Sequence, residues 1–128
     1  MRLLLDTHIA LWAVTNHPKL PLLAKQMILE TDNQIFVSAA SVWEIAIKHS
    51  INSQNMPLSG HSSRKIFSKS GYSILSISGE HAAKVETLEW HHKDPFDRLL
   101  IAQSLCESLQ LLTNDHILKR YTSSVISL

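Results

Sequence analysis

The first apolar run of the chain, Leu3-Leu4-Leu5, stops at Asp6 and resumes as Ile9, Ala10, Leu11, Trp12 and Ala13. A short continuous run bounded by a polar residue reads as a buried strand, and the longer run after it as a helix that Asp6 or Thr7 would cap. Between Leu20 and Glu30, apolar residues recur at helical spacing at Leu22, Leu23, Met27 and Ile28, and Gln34 to Val37 supplies a second buried strand. A helix is expected from Ser41 to about His49. The stretch from Asn52 to Gly60 is rich in Ser, Asn, Pro and Gly and reads as a loop, and Ser62 to Ser70 reads as a basic helix. Tyr72 to Ile77 predicts a third strand and Gly79 to Leu88 a helix. Asp94-Pro95 opens a helix to about Ser108, with Asp94 as cap and Pro95 at the first helical position. The strand Leu109 to Thr113, a short helix from Asn114 and a last strand near Val125-Ile126 complete the pattern. Strands alternating with helices predict βαβ units, and so an α/β fold: a three-layer α/β/α sandwich with a mostly parallel central sheet.

Composition narrows the class. A chain of 128 residues is expected to form one domain over 1–128, large enough to bury most of its apolar surface without staples. Three Gly and four Pro argue against disorder and against a loop-rich scaffold. With a net charge of +1, any phosphate-binding surface must be a local patch, for which Lys48, Arg64, Lys65, Lys69, Lys93 and Arg98 are the candidates. The single Cys106 excludes an internal disulfide, and its helical phase with Leu99 and Ala102 places it in the core. The start MRLLLDTHIALW is broken by Asp6 and His8 and fails as a signal peptide, and no apolar run is long enough to span a bilayer. A cytoplasmic protein with no membrane role is expected.

Four acids carry the candidate chemistry. Parallel sheets place their working residues beyond the carboxyl ends of the strands, where the strand order reverses. Asp6 and Asp115 follow apolar strands, while Glu44 (in SVWEIAIK) and Asp97 (in DPFDRLLIA) sit in apolar helices expected to flank the same rim. Each acid has a purely structural alternative. Asp6 could cap, Glu44 could pair with Lys48 one turn on, Asp94 could cap, Asp97 could suit the helix dipole, and Asp115 could start the short helix. Their convergence on one rim favours a different reading, because clustered carboxylates repel one another unless a hard divalent cation is held between them. Metal-dependent hydrolysis follows. Other chemistries lack their motifs: no zinc-like spacing, no glycine-flanked Ser elbow and no phosphate-binding glycine loop is present. His91 and His92 beside Asp94, and His8 near Asp6, could contact phosphate or tune the pocket but read first as solvated surface residues, and Trp12, Trp43 and Trp90 as core or interface anchors rather than base-stacking platforms.

Together, LLLDTHIALW, SAASVWEIAIK, HHKDPFDRLLIAQ and LLTNDHILKRY resemble the PIN-domain ribonucleases, specifically the VapC-like toxins of bacterial toxin–antitoxin pairs. The resemblance covers nearly the whole chain. It implies a PIN-like fold with Asp6, Glu44, Asp97 and Asp115 as the catalytic carboxylates, and Asp94 assisting as part of the DPFDR variant. It also implies Mg2+ or Mn2+, RNA as substrate, a homodimer, and a cognate small antitoxin protein that blocks the acidic pocket. His8 departs from the small or amide side chain common in relatives, which bears on substrate hydrogen bonding. On this reading Asp6, Asp97 and Asp115 ligate the cation, and Glu44 ligates it or orients the attacking water. Thr113 would hydrogen-bond a ligand or phosphate, and Arg98 and Lys48 would contact the nucleic-acid backbone. Alternatives are a structure-specific DNA nuclease and a non-catalytic acidic docking module. A phosphoacceptor receiver ranks last, since SILSIS ends in Ser78-Gly79 where a receiver needs an Asp.

Overall fold

Leu3, Leu4 and Leu5 are all fully buried because β1 (Arg2–Leu5) runs through the middle of the sheet. A strand covered on both faces needs apolar side chains at successive positions, which is why this one reads as a continuous run. The computed structural model describes residues 1–128. β1 is followed by α1 (Thr7–Thr15), α2 (Leu22–Leu29), β2 (Gln34–Ser38), α3 (Ala39–Ile51), α4 (Gly60–Lys69) and β3 (Ser73–Leu75). Then come α5 (Gly79–Lys84), a 3-10 turn (Val85–Thr87), α6 (Pro95–Glu107), β4 (Gln110–Thr113), a second 3-10 turn (His116–Arg120) and β5 (Val125–Ser127). The five strands lie in the order β3-β2-β1-β4-β5, and every pair is parallel.

Successive side chains of a strand point to opposite faces, so β1 feeds two cores. Leu3 and Leu5 pack with Ile9, Ala24, Ile45 and Phe67 of α1 to α4. Leu4 packs on the other face with Leu100 and Ile101 of α6 and with Leu118. The chain moves from β1 outward through β2 to β3, then returns through α6 to β4 on the far side of β1. The strand order therefore reverses between β1 and β4, and the residues just past those strands, Asp6 and Asn114-Asp115, face one crevice.

Several boundaries differ from the sequence expectation, each for a local reason. Ser38 caps α3 by accepting from the Ala40 N–H at 3.0 Å, which starts that helix earlier than Ser41. Ser59 does the same for α4, and Gly60 lets the helix approach α3: a Cβ there would lie 2.7 Å from the Ala46 Cβ. The third strand is only Ser73–Leu75, and the helix from Gly79 gives way at Lys84 to the 3-10 turn. The short helix after Asn114 is likewise 3-10, capped by Asp115. Cys106 is half-buried rather than in the core. Trp43 and Trp90 are not core residues either, being 56% and 79% exposed. No helix is long and apolar enough to cross a membrane.

Candidate active site

Asp6 ends β1 and caps α1, its Oδ1 accepting from the Ile9 N–H at 2.8 Å. Its Oδ2 accepts from the hydroxyl of Thr113, the fully buried last residue of β4. The same Thr113 oxygen accepts from the Asp115 N–H at 3.0 Å. Thr113 thus ties the two strand ends together and fixes Asp6 against Asp115. Asp6 is buried, and that desolvation pushes its pKa upward against the opposing pull of the Thr113 and Ile9 hydrogen bonds.

Glu44 reaches the same place from α3. Its Oε2 lies 2.7 Å from Lys48 Nζ, so the pair one turn apart forms, yet the carboxylate is buried while Lys48 is half-exposed. Its Oε1 lies 2.8 Å from the Thr7 hydroxyl, which is also 2.8 Å from Ser41 Oγ. From α6, Asp94 caps the helix through Oδ1, accepting from the Phe96 N–H at 2.8 Å and the Asp97 N–H at 3.3 Å. Asp97, in the first turn, then projects toward the other acids. Its pKa rises from 3.8 to about 7, chiefly through burial and then through repulsion from Asp94 and Asp6, with His92 opposing. The helix N-terminus would favour the anion. Burial and its acidic neighbours win.

Asp115 caps the second 3-10 turn through Oδ1, accepting from the Ile117 N–H at 3.0 Å. Its Oδ2 lies 2.9 Å from His92 Nε2, which is also 3.5 Å from Asp97 Oδ2. His92 Nδ1 accepts the Asp94 N–H at 3.0 Å, so the ring proton sits on Nε2 and is donated to Asp115. A nitrogen that carries a proton offers no lone pair to a cation. The groups left to bind one are therefore oxygens.

Asp6, Glu44, Asp94, Asp97 and Asp115 line one cleft of ≈ 530 Å³, with Lys48 at its edge. So many acids facing one lysine make a site whose apo form is electrostatically unfavourable, as the raised Asp97 pKa records. The donor set is hard oxygen and fits Mg2+ or Mn2+ better than zinc. The model for the PIN domain family matches residues 3–123. This chain is a PIN domain.

Solved structures agree with that assignment. VapBC2 from Rickettsia felis, bound to a DNA fragment from the promoter, matches at TM-score 0.73 and 22% identity over 100% of this chain and 98% of that one. A toxin–antitoxin complex from Klebsiella pneumoniae matches at TM-score 0.66 and 20% identity, over 97% and 95% of the two chains. DNA-bound VapBC from Salmonella typhimurium matches at TM-score 0.68 and 13% identity, over 100% and 97%. At such identities the likeness establishes the fold. No curated protein is similar enough in sequence to match.

Not every candidate of the sequence lies in the cleft of this PIN domain. Arg98, expected to contact a nucleic-acid backbone, is only 3% exposed and does not line the acidic cleft. Its guanidinium donates to the carbonyls of Val85, Leu88 and Glu89 and to the Tyr121 hydroxyl. Those bonds occupy both of its terminal nitrogens in the interior, so the phosphate role is corrected to a structural one. Arg64 lines a separate groove with Val42 and Trp43 between α3 and α4. Two residues carry more of the site than the sequence pattern indicates. Thr7, expected as a cap, directly follows Asp6 and turns its hydroxyl to Glu44. His92, for which a surface place is expected first and a role in the pocket second, lies in the pocket: its closeness in sequence to Asp94 allows the local bond that aims Nε2 at Asp115.

Proposed function

We propose that residues 1–128 form one nuclease domain that hydrolyses RNA phosphodiesters and acts in the cytoplasm as the toxin of a toxin–antitoxin pair. The observation that carries this reading is the convergence of Asp6, Glu44, Asp97 and Asp115 on the crevice where the strand order reverses. Asp6, Asp97 and Asp115 would hold Mg2+ or Mn2+, which supplies positive charge to the phosphate and lowers the pKa of water. Thr113 holds Asp6 in place, and the His92 N–H steers Asp115. Asp94 caps the helix that presents Asp97. Glu44, held by Thr7 and Lys48, completes the ligand set or orients the attacking water.

Supporting the toxin reading, the similar chains come from complexes described as VapBC or as toxin–antitoxin. A small antitoxin that places an Arg in the acidic cleft would neutralise it with charge-assisted bonds. A homodimer completes the proposal. The discriminating assay offers the purified chain, freed of any partner, single-stranded RNA and DNA of one sequence with Mn2+. Cleavage of the RNA alone is expected, and co-expression of the antitoxin should restore growth. Cleavage of DNA but not RNA would transfer the site to the DNA-nuclease reading.

A further inference from the structure

Beside the acidic cleft lies a second one of ≈ 500 Å³, lined by Trp90, His91, His92, Lys93 and Ile117. The two are contiguous, because Ile117 lines both and His92 bonds Asp115 across the divide. Trp90 is 79% exposed, yet it is not a loose side chain. The Arg98 guanidinium carbon sits 3.9 Å from its ring centroid, and Arg98 is itself anchored by the Val85, Leu88 and Glu89 carbonyls. One face of the indole is therefore fixed on a buried cation, and the opposite face is open. Cation–π stacking of this kind orients the ring before any ligand arrives.

A planar aromatic face open to solvent beside a phosphate-cleaving site suits an unpaired base, which stacks on aromatic rings irrespective of its identity. The surroundings favour this ligand over a protein. Ile117 is the only other apolar residue of the cleft, and Lys93 and two imidazoles make up the rest. Protein interfaces deplete charge around their aromatic anchors. We infer that Trp90 is a stacking platform for one unpaired RNA base flanking the scissile phosphate, with Lys93 beside it to meet the next phosphate. This inference rests on the ribonuclease reading and reverses the expectation that Trp90 is a core or interface anchor.

The test combines Trp90→Ala and Trp90→Phe with a set of single-stranded RNA substrates, each carrying an abasic ribose at a different position near the cut. Loss of one stacked base predicts that Trp90→Ala lowers kcat/KM by about 5- to 150-fold, mostly through KM, while Trp90→Phe keeps most of it. One abasic position should cost the wild type a similar factor and cost Trp90→Ala nothing further, since the two changes remove the same contact. Additive losses at every position, or an unchanged kcat/KM in Trp90→Ala, would overturn the inference and leave the nuclease reading intact. An unchanged kcat/KM accompanied by an altered oligomeric state or weaker antitoxin binding would reassign Trp90 to a protein contact. No RNA cleavage by the wild type would remove the nuclease reading and this inference together. Because a merely misfolded Trp90→Ala would still respond to abasic substrates, the lost response separates stacking from general damage.

Discussion

Asp97→Asn is expected to make the metal-free protein more stable while removing its activity. The folded-state pKa of Asp97 lies near 7 against an ordinary 3.8, so between those values the folded chain binds a proton that the unfolded chain releases. For this group stability is highest below about pH 4, falls as pH rises toward about 7, and is lowest above it. An amide carries no charge to desolvate and repels neither Asp94 nor Asp6, so the decline should disappear. With the side chain a quarter exposed, solvent screens part of the effect, leaving a gain on the order of a few kcal/mol at pH 8, or a Tm rise of about 5 °C or more. Activity should move the other way. Loss of a group that merely orients a metal ligand costs about 10–100-fold, so loss of a ligand should cost at least about 100-fold. Thermal melts from pH 4 to 8 with EDTA, set beside RNA cleavage with Mn2+, check both halves. A variant less stable than wild type at pH 8 would show that the Asp97 carboxylate serves the fold as an ordinary first-turn acid.

Arg98→Met should be among the most destabilising single changes in the chain, at about 2–4 kcal/mol. The guanidinium has no acidic partner. It is satisfied by the Val85, Leu88 and Glu89 carbonyls, the Tyr121 hydroxyl and the face of Trp90. Methionine can fill the space but leaves the Leu88 and Glu89 carbonyls without donors and the Val85 carbonyl with only the Leu88 N–H. The Tyr121 hydroxyl also accepts the His91 and His92 N–H groups, so this hub fixes the segment that carries His92 and Asp94 to the acids. Arg98→Lys should recover little, because an ammonium cannot present a planar fork to several acceptors. Urea unfolding measures the loss, and a cost below about 0.5 kcal/mol, normal for a surface position, would contradict the assignment.

Arg98 also shows where a sequence misleads. Its helical phase with Ile101 and Ala102 put it on the buried face of α6, but its charge suggested solvent and phosphate. Periodicity was the better guide. Trp43 and Trp90, expected as core or interface anchors, lie outside the core: Trp43 lies edge-on against Phe96 at 5.2 Å and stays largely exposed. Apolar residues are not obliged to be inside. The sheet was legible because its central strand must be apolar at successive positions and its ends carry the acids. The early stop of α5 was not, since just past it the Val85 and Leu88 carbonyls accept from the Arg98 guanidinium, a contact that the hydrophobic pattern does not display. The acids could be named from their contexts, whereas their mutual distances depend on Thr113 joining two strands far apart along the chain.

The measurement that bears most directly on the carboxylate site is cleavage of single-stranded RNA by the purified, antitoxin-free chain as Mn2+ is restored stepwise after EDTA treatment. Cleavage should be absent in EDTA, return with saturable dependence on Mn2+, and remain absent in Asp6→Asn and Asp97→Asn at Mn2+ levels that saturate the wild type. Undiminished cleavage in excess EDTA, or wild-type activity in both variants, would contradict the account and return Asp6 to the role of a helix cap and Asp97 to that of a first-turn acid.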